Sequence, residues 1–382
     1  MTSARTTVVI ATRDRWDELR HTLHRLTGLD PPPPIVVVDN GSSDSTRQRL
    51  PTEFPQVRLI PLSGNRGATA RNHGVAVART PYVAFSDDDS WWAPGSLQQA
   101  ERLFDACPRL GLLSARTLVG PEQRLDPLSA ELAASPLGRE PGLPGVSVLG
   151  FLACAAIVRR EAFLACGGFS PVLFFPGEEQ LLSWDLAAAG WAQCHVPELV
   201  SHHHPSRIRP PSASRRRLQA RNALLTVWLR RPWPEIAAAT WAQLRAGGPR
   251  VLAAALARLP GVLRDRRRLP AEVEQRLALL QRQAWSAPGR VGPQGTTTPQ
   301  TSGGGSVSTT ETGSVTGTRD KDYNIIWFTE ACLSNVLRLE TYIQDAEKAG
   351  DSELAEFFRK AQNESRKGAE QAKAMLAQRL SG

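Results

Sequence analysis

The sequence predicts an α/β protein with a mostly parallel, Rossmann-like sheet in its N-terminal half. Apolar runs rich in β-branched residues alternate with helix-like patterns from Thr6 to Leu97, which is the arrangement of parallel α/β sheets. Each run ends in a polar or Gly-rich turn, and parallel strands bring such turns to one edge of the sheet, where ligands bind. We therefore expect the functional site at this edge.

The first two apolar runs predict strands over Thr6–Ala11 and Ile35–Val38. The first ends in the segment TRDR, and a helix pattern begins at Trp16. The second ends in Asp39, which is followed by Asn and Gly. A carboxylate at a strand end can accept a hydrogen bond from a ligand N–H, or it can close an Asx turn within the chain.

A third strand, Val57–Pro61, leads into the Gly-rich turn GNRGATARNHGV, which runs into a helix. Because glycine has no side chain, Gly67 would let the backbone approach a ligand closely. Arg71 offers a planar guanidinium that can bind a phosphate through two N–H groups. The turn therefore predicts a phosphate-binding part of the site.

The fourth strand, Tyr82–Phe85, ends at three carboxylates, Asp87, Asp88 and Asp89. Adjacent carboxylates repel one another, so their crowding is costly unless a cation or hydrogen-bond donors hold them. Mg²⁺ and Mn²⁺ suit such a site, because they bind one or two carboxylates and complete their shells with water and phosphate. The alternative is a solvated acidic turn.

The segments TRDR, VVVDNGSSDST, GNRGATARNHGV and YVAFSDDDSWW, in this order and spacing, resemble the donor half of family 2 glycosyltransferases with the GT-A fold. The resemblance implies a nucleotide-diphospho-sugar donor, with the nucleoside near Thr12 and Asp39 and an Asp-x-Asp metal site at Asp87 and Asp89 for Mg²⁺ or Mn²⁺. The donor contacts that it implies are Thr12, Arg13, Asp39, Asn65, Gly67, Arg71 and Asp88.

The middle of the chain is less regular. The Pro-rich stretch from Arg116 to Leu143 carries little periodicity and predicts a mobile segment over the acceptor side. Order returns with an apolar strand over Phe151–Val158 and with a helix that begins at Glu178 and ends at the C-cap Gly190.

The segment GGFSPVLFFPGEEQLLSWDLAAAG resembles the acceptor half of the same family. The resemblance implies that Glu179 is the general base that takes the acceptor proton, with Glu178 as its neighbour. Two departures put the acceptor contacts in doubt: the second acid is Glu instead of Asp, and Trp184-Asp185 displaces the usual Arg. In the alternative interpretation, the two acids stabilise a helix N-terminus.

Three consecutive histidines, His202 to His204, follow a strand-like run that would return toward the site. Neutral imidazole is a good ligand for Mn²⁺, and in some GT-A enzymes a histidine at this chain position completes the metal shell. We expect His204, and second to it His202, to bind the metal. The alternative is that they are polar surface residues.

The C-terminal part predicts helices. Arg, Leu and Trp recur at helical spacing from Arg207 to Gln283, so this stretch would lie either on an anionic membrane surface or as a lid on the catalytic domain. The predicted domains are a GT-A catalytic domain at 1–210, a basic helical extension at 211–286, a disordered linker at 287–318 and a helical hairpin at 319–382.

The hairpin has apolar residues at steps of three and four along both helices. Two helices bury little by themselves, so we expect self-association or a partner protein. The hairpin is faintly similar to half of a ferritin-like bundle, but it contains no histidine for a di-iron site.

Composition restricts the protein class. The 382 residues carry a formal net charge of +9, and five cysteines form no Cys-x-x-Cys pair, which is typical of a reducing compartment. No apolar run reaches the roughly 18–20 residues of a membrane span, and the N-terminal run is too short for a signal peptide. We expect a cytoplasmic protein, peripheral at the inner face of the membrane if the basic helices bind lipid, with no nucleic-acid partner.

The predicted function is an inverting glycosyltransferase (a hexosyltransferase) with an unknown acceptor, such as a cell-envelope glycan or lipid. A dinucleotide-dependent oxidoreductase would show G-x-G-x-x-G after the first strand, which is missing. Two alternatives stay open, a sugar nucleotidyltransferase and a non-catalytic sugar-nucleotide-binding or scaffold protein. Neither the sugar nor the nucleotide base follows from the sequence.

Overall fold

A computed structural model describes residues 4–206, 212–246, 248–286 and 320–380. The chain divides into two compact units, the first ending at Gln294 and the second beginning at Gly295. The predicted linker, 287–318, lies outside the described residues. The helices of the predicted extension belong to the same compact unit as the α/β part.

In the described part of the chain, ten strands form one sheet. They are β1 (Thr6–Thr12), β2 (Ile35–Asp39), β3 (Arg58–Pro61), β4 (Tyr82–Asp87), β5 (Ser90–Trp92), β6 (Leu110–Val119), β7 (Arg124–Leu125), β8 (Val146–Ser147), β9 (Ala156–Arg159) and β10 (Ala192–His203).

The sheet is mixed. The main strand order is β3-β2-β1-β4-β9-β6-β10-β5, with β7 beside β6 and β8 beside β10. The first four strands pair in parallel, as predicted, and so do β6 and β10. Strand β9 runs antiparallel to both β4 and β6. The parallel arrangement is therefore confirmed for the donor half, and the second half adds antiparallel pairs that the sequence did not predict.

Helices α1 to α7 belong to the α/β part: α1 (Trp16–Thr27), α2 (Thr46–Glu53), α3 (Ala70–Val77), α4 (Ser96–Ala106), α5 (Pro127–Ala133), α6 (Arg160–Ala165) and α7 (Glu178–Ala188). The extension contains α8 (Ser212–Arg230), α9 (Trp233–Arg245), α10 (Pro249–Leu256), α11 (Leu259–Asp265) and α12 (Ala271–Ser286). The second unit contains α13 (Asp320–Lys348) and α14 (Ser352–Leu380).

The core lies on both faces of the sheet because the side chains of β1 alternate between them. Val8 and Ile10 pack in one cluster with the apolar side of α1, including Leu19 and Leu23. Val9 packs in the other cluster with residues of α3 and α6. This alternation holds the central strands rigidly, so the positions of their carboxyl ends are well defined.

The prediction of an irregular segment over Arg116–Leu143 is partly wrong. Strand β6 continues to Val119, and α5 buries Leu132 and Ser129, whose hydroxyl accepts a 2.9 Å hydrogen bond from the Thr117 N–H. The predicted strand over Phe151–Val158 is shorter, because a 3-10 turn at Ala153–Ala155 precedes β9. Small buried side chains allow this turn to lie against the sheet.

The extension is attached to the α/β part through residues that depart from the family pattern. Asp185 on α7 binds the buried guanidinium of Arg230 on α8, with 2.9 Å between Nη2 and Oδ2. Trp184 is buried against α12, together with Val273 and Leu277. Leu224 and Leu225 of α8 pack in a third cluster, which includes Leu181. The Trp184-Asp185 departure therefore anchors α8 and α12.

The second unit is a helical hairpin. A turn containing Gly350, with a φ of 74°, joins α13 and α14. The two helices bury one apolar seam, formed by Leu339, Ile343, Ala346, Ala355, Ala369 and Ala372. Among the described residues, no helix has the length and apolarity needed to cross a bilayer.

Candidate active site

The carboxyl ends of three parallel strands place the predicted donor residues side by side. Thr12 at the end of β1 pairs in register with Asp39 at the end of β2. Ala11 pairs with Asp87 at the end of β4. The sheet register therefore brings together residues that are far apart in sequence.

Asp88 is buried at this edge of the sheet, where it connects β1 to the acidic turn after β4. Its carboxylate accepts hydrogen bonds from the Thr12 hydroxyl and from the Arg15 guanidinium, both at 3.0 Å. Burial, reinforced by the neighbouring aspartates and opposed by Arg15, raises the pKa of Asp88 to about 7. Asp88 thus holds the end of β1 to the acidic turn, and Thr12 is engaged with Asp88 within the chain.

A second group of side chains has the composition of a metal site. Ligand atoms of Asp87, Asp89 and His203 all lie within 4.8 Å of one another. His203 Nε2 is 3.3 Å from Asp89 Oδ1, and the Ser206 N–H donates to Asp89 Oδ2 at 2.9 Å. Burial alone would raise the pKa of Asp89, but His203, Ser206 and Arg15 outweigh it and lower that pKa. Asp89 is therefore held as a carboxylate.

The histidine that lies beside the carboxylates differs from the two that were predicted as metal ligands. His203 is beside the carboxylates, whereas His204 and His202 pack on Trp91, with ring centroids 4.6 and 5.7 Å from the indole. Successive side chains of a strand point to opposite faces, so only the middle histidine can face the carboxylates. His204 and His202 line a separate cavity of about 630 Å³ with Trp91.

Arg71 connects the acidic turn to the predicted acceptor half. Its buried guanidinium contacts Asp87, and its Nη1 is 3.9 Å from Glu178 Oε1. Within the described residues, neither carboxylate oxygen of Glu178 has a hydrogen-bond partner. Burial and repulsion from Glu179, opposed by Arg71, hold the pKa of Glu178 well above its usual 4.5.

Glu179 lies beside Glu178 in the first turn of α7 and is half-buried. Burial raises its pKa from the usual 4.5, while backbone N–H groups and Arg71 oppose that change. A carboxylate with a raised pKa is a better proton acceptor near neutral pH. Glu179 therefore holds a proton more readily than an ordinary glutamate.

Asp39 is fully buried and is satisfied within the chain. It contacts the Arg47 guanidinium, and its Oδ1 accepts from the Ser42 N–H at 3.0 Å. Asp39 therefore closes a turn within the chain, as in the alternative interpretation. Its contact with a nucleoside stays a prediction, because Asp39 is not among the described residues that line the neighbouring cavity.

Gly67 is required for a contact within the protein. It has a φ of 59°, and a Cβ at this position would lie 2.4 Å from the Phe174 carbonyl oxygen. That carbonyl accepts a 2.8 Å hydrogen bond from the Ala68 N–H. The close approach is thus made by the segment Phe174–Pro176, which the sequence did not indicate.

A cavity of about 430 Å³ opens at this edge of the sheet. Its lining includes the predicted residues Thr12, Arg13, Asn65, Gly67, Arg71, Asp87, Asp88 and Asp89. It also includes residues that were not predicted, Arg15, Asn40, Phe174–Pro176, His203, Ser214, Arg215 and Leu218. Arg15 could have been found, because it belongs to the TRDR segment. The α8 residues carry no motif.

The lining of this cavity suits an anionic ligand accompanied by a divalent cation. Two carboxylates and an imidazole are ligands that Mn²⁺ and Mg²⁺ accept, and the Arg13, Arg15, Arg71 and Arg215 side chains supply positive charge for phosphates. A cavity of this kind at the carboxyl edge of a parallel α/β sheet is typical of proteins that bind nucleotides.

Residues 7–167 match the sequence profile described as Glycosyl transferase family 2. The chain is also 30% identical over 213 residues to an N-acetylglucosaminyl-diphospho-decaprenol L-rhamnosyltransferase of Mycobacterium tuberculosis, covering 45% of this chain and 67% of the relative. This chain belongs to glycosyltransferase family 2. It is a glycosyltransferase with the GT-A fold.

Two further likenesses have been found. A pre-mycofactocin glycosyltransferase of Mycobacterium tuberculosis is 30% identical over 216 residues, covering 53% of this chain and 43% of the relative. A solved mannosyltransferase from Pyrobaculum calidifontis, in complex with GDP-Man and Mn²⁺, is 20% identical with a TM-score of 0.48, covering 74% of this chain and 81% of that chain.

We expect Glu178→Gln to raise the free energy of unfolding at neutral pH, because it removes a buried carboxylate without hydrogen-bond partners. The folded-state pKa of Glu178 is raised, so wild type carries no penalty below the unfolded value of about 4.5 and loses stability as the pH rises toward the folded-state pKa. Urea unfolding from pH 4 upward should show a growing advantage of the variant. An advantage that is independent of pH would contradict this account.

Proposed function

We propose that this glycosyltransferase is an inverting, metal-dependent enzyme that moves a sugar from a nucleotide-diphospho-sugar to a hydroxyl of a lipid-linked acceptor. The observation that carries the proposal is the grouping of Asp87, Asp89 and His203 beside Arg71 in one cavity. The name of the rhamnosyltransferase relative specifies a decaprenol-linked acceptor, which supports the acceptor class. Family membership favours transfer over nucleotide-sugar synthesis.

The donor would occupy the cavity between the strand ends and α8. Its nucleoside would lie along Thr12, Arg13 and Asn65, which line the cavity. Asp39 would contact it only if its ion pair with Arg47 opened on binding. Its diphosphate would lie beside Arg71, whose guanidinium is suited to phosphate oxygens. Arg71 contacts Asp87 in the absence of donor, so donor binding would exchange part of that ion pair for contacts with phosphate.

The residues fit a resident divalent cation. Asp87, Asp89 and His203 would hold it, and when bound it would neutralise the charge of the departing diphosphate. Asp88 would act indirectly, because its hydrogen bonds with Thr12 and Arg15 fix the orientation of the turn that carries the two ligating aspartates. Both Mg²⁺ and Mn²⁺ suit this ligand set.

Glu179 would take the proton of the acceptor hydroxyl. As the new bond forms at the anomeric carbon, the bond to the diphosphate oxygen breaks, and Arg71 stabilises the leaving charge. Attack on the face opposite the leaving group inverts the anomeric configuration. The raised pKa of Glu179 supports this role.

Asp89→Asn should abolish metal-dependent donor binding, because the amide is a poor cation ligand. Asn retains an acceptor for the Ser206 N–H, so the fold should persist. His203→Ala should weaken the same binding, whereas His202→Ala, on the opposite face of β10, should not. The measurement is calorimetry with GDP- and UDP-sugars, with and without Mn²⁺. Unchanged binding by Asp89→Asn would reject the metal assignment.

Glu179→Gln should slow sugar transfer by about 10² to 10⁴, the usual contribution of a positioned base, and should leave donor binding intact. Glu178→Gln, the matched neighbour, should cost much less. Single-turnover transfer with saturating donor measures both variants, and NMR of the product gives the anomer. A retained anomer, or a Glu179→Gln rate within a few-fold of wild type, would mean that this base assignment is incorrect.

We also propose that the hairpin associates with a second copy of itself. Phe328 and Met375 are 53% and 46% accessible. Phe328 lies beside Gly368, where a Cβ would be 3.6 Å from its ring, and Met375 follows Gly368 by about two helical turns, so we place both residues on one side of the seam. Leu337, which is also exposed, follows Phe328 by nine residues and falls on the opposite side of α13. A second hairpin on the first side would complete a four-helix bundle.

Removal of residues 319–382 should leave donor hydrolysis nearly unchanged and lower the oligomeric state. Phe328→Glu with Met375→Glu should have the same effect on association, because it buries charge in the apolar contact. Leu337→Glu is the matched control and should leave association intact. Sedimentation velocity measures all three, and equal mass-corrected sedimentation of full-length and truncated protein would reject self-association.

A further inference from the structure

The extension exposes a set of large apolar side chains that its own core does not use. Trp233 and Trp241 on α9 are 65% and 62% accessible, and Leu263 on α11 is 65% accessible. We call these residues, together with Leu244, Leu256 and Leu259, the Trp-Leu face. Exposed large apolar groups at this density mark a contact surface more often than a solvated one.

Helix α9 carries a continuous part of the Trp-Leu face. At 100° per residue, Trp233, Ala237, Trp241 and Leu244 fall within an arc of about 80°. All four are exposed, whereas Ile236 packs against the cluster around α8. The only charged residues of α9 are Glu235 and Arg245. One side of α9 is therefore used for packing, and the other is apolar and open to solvent.

Helices α10 and α11 also have one buried side and one exposed apolar side. Val251, Ala255 and Val262 are buried. The exposed leucines of the Trp-Leu face, at positions 256, 259 and 263, are three and four residues apart. Ala255 and Val262 pack in the cluster that includes Leu224, Leu225 and Trp228 of α8, so the helices that carry the exposed leucines are attached to α8.

The charged residues of the extension are mostly positive. Residues 211–286 contain fifteen arginines against four acidic residues. Three of the acids are engaged in ion pairs: Asp265 with Arg264 at 2.8 Å, and Glu274 and Glu235 with Arg231 at 2.9 and 3.5 Å. Arg245, Arg250 and Arg258 are exposed near the apolar residues. The surface thus combines an apolar face with a positive border.

We propose that the Trp-Leu face docks on the surface of an anionic lipid bilayer. Tryptophans lie favourably at the headgroup level, leucines insert among the acyl chains, and arginines attract anionic headgroups. A second copy of the chain is a less suitable partner for the Trp-Leu face, because contact between two such faces would bring their arginines together and the positive charges would repel one another. The proposal extends the proposed function, since it brings the enzyme to lipid-linked acceptors, but it rests on these surface residues alone.

Helix α8 connects this face to the donor cavity. Ser214 near its start lines the cavity, and Trp228 near its end packs in the cluster that supports α9 and α10. The rise of an α-helix puts these two residues about 21 Å apart along α8. Docking would therefore hold the cavity at a defined distance from the docked helices.

The test is co-sedimentation of the full-length protein with phosphatidylcholine vesicles that do or do not contain phosphatidylglycerol. Wild type should bind the anionic vesicles and bind pure phosphatidylcholine much more weakly. Trp241→Glu with Leu263→Glu should weaken binding by roughly tenfold or more, because two inserted apolar groups are lost. Arg245→Gln with Arg250→Gln should weaken it by roughly fivefold per charge.

Matched controls come from the α/β part. Leu125→Glu with Leu164→Glu changes two leucines that are 49% and 41% accessible and should leave vesicle binding unchanged. Arg102→Gln with Arg124→Gln is the corresponding charge control. Donor binding, measured by calorimetry on the same samples, should be equal in all variants, so failure of the donor site and failure of docking are distinguishable.

Three results would overturn the proposal. The first is no binding of wild type to anionic vesicles, and the second is equal binding to both kinds of vesicle. The third is an equal loss in the control variants. A dimer that Trp241→Glu abolishes, without any vesicle binding, would assign the Trp-Leu face to a second copy instead.

Discussion

Repulsion among buried carboxylates is the constraint on which the site depends. Asp88 and Glu178 are almost inaccessible, and each lies beside other acids that increase its tendency to hold a proton. The protein offsets this repulsion with a small number of cations, of which Arg71 contacts carboxylates from both halves of the catalytic unit. This arrangement suits a divalent cation and a phosphate ligand. A cation could take over the contact that Arg71 makes with Asp87, and a phosphate could then bind Arg71.

A buried ion pair also attaches the extension to the α/β part. Asp185 on α7 and Arg230 on α8 are both needed, because removal of either one would leave the other charge buried and uncompensated. Trp184 adds apolar contact with α12. Packing of the extension therefore accounts for Trp184 and Asp185, one of the two departures from the family pattern. It does not account for the other, the Glu at position 179.

The extension is consequently part of the catalytic unit. Its α8 contributes Ser214, Arg215 and Leu218 to the cavity, and α9 to α11 carry the Trp-Leu face. The lid and membrane-contact interpretations of the basic helices are compatible, because they concern different ends of α8. If the Trp-Leu face binds lipid as we propose, α8 would link that surface to the cavity.

In the first four strands, the order of strands, helices and polar turns followed from the sequence alone, and so did the expectation that Asp87, Asp89 and Arg71 lie close together, because parallel strands end at one edge of a sheet. The choice of His203 did not. Strand β10 has an irregular register between Val196 and Val200, so the face on which each histidine lies cannot be counted along the chain. The partners of Asp39, Ser42 and Arg47, lie within eight residues of it along the chain, so a local turn accounts for them. Phe174, which approaches Gly67, comes from a segment distant in sequence, and only tertiary packing decides that this segment reaches the site.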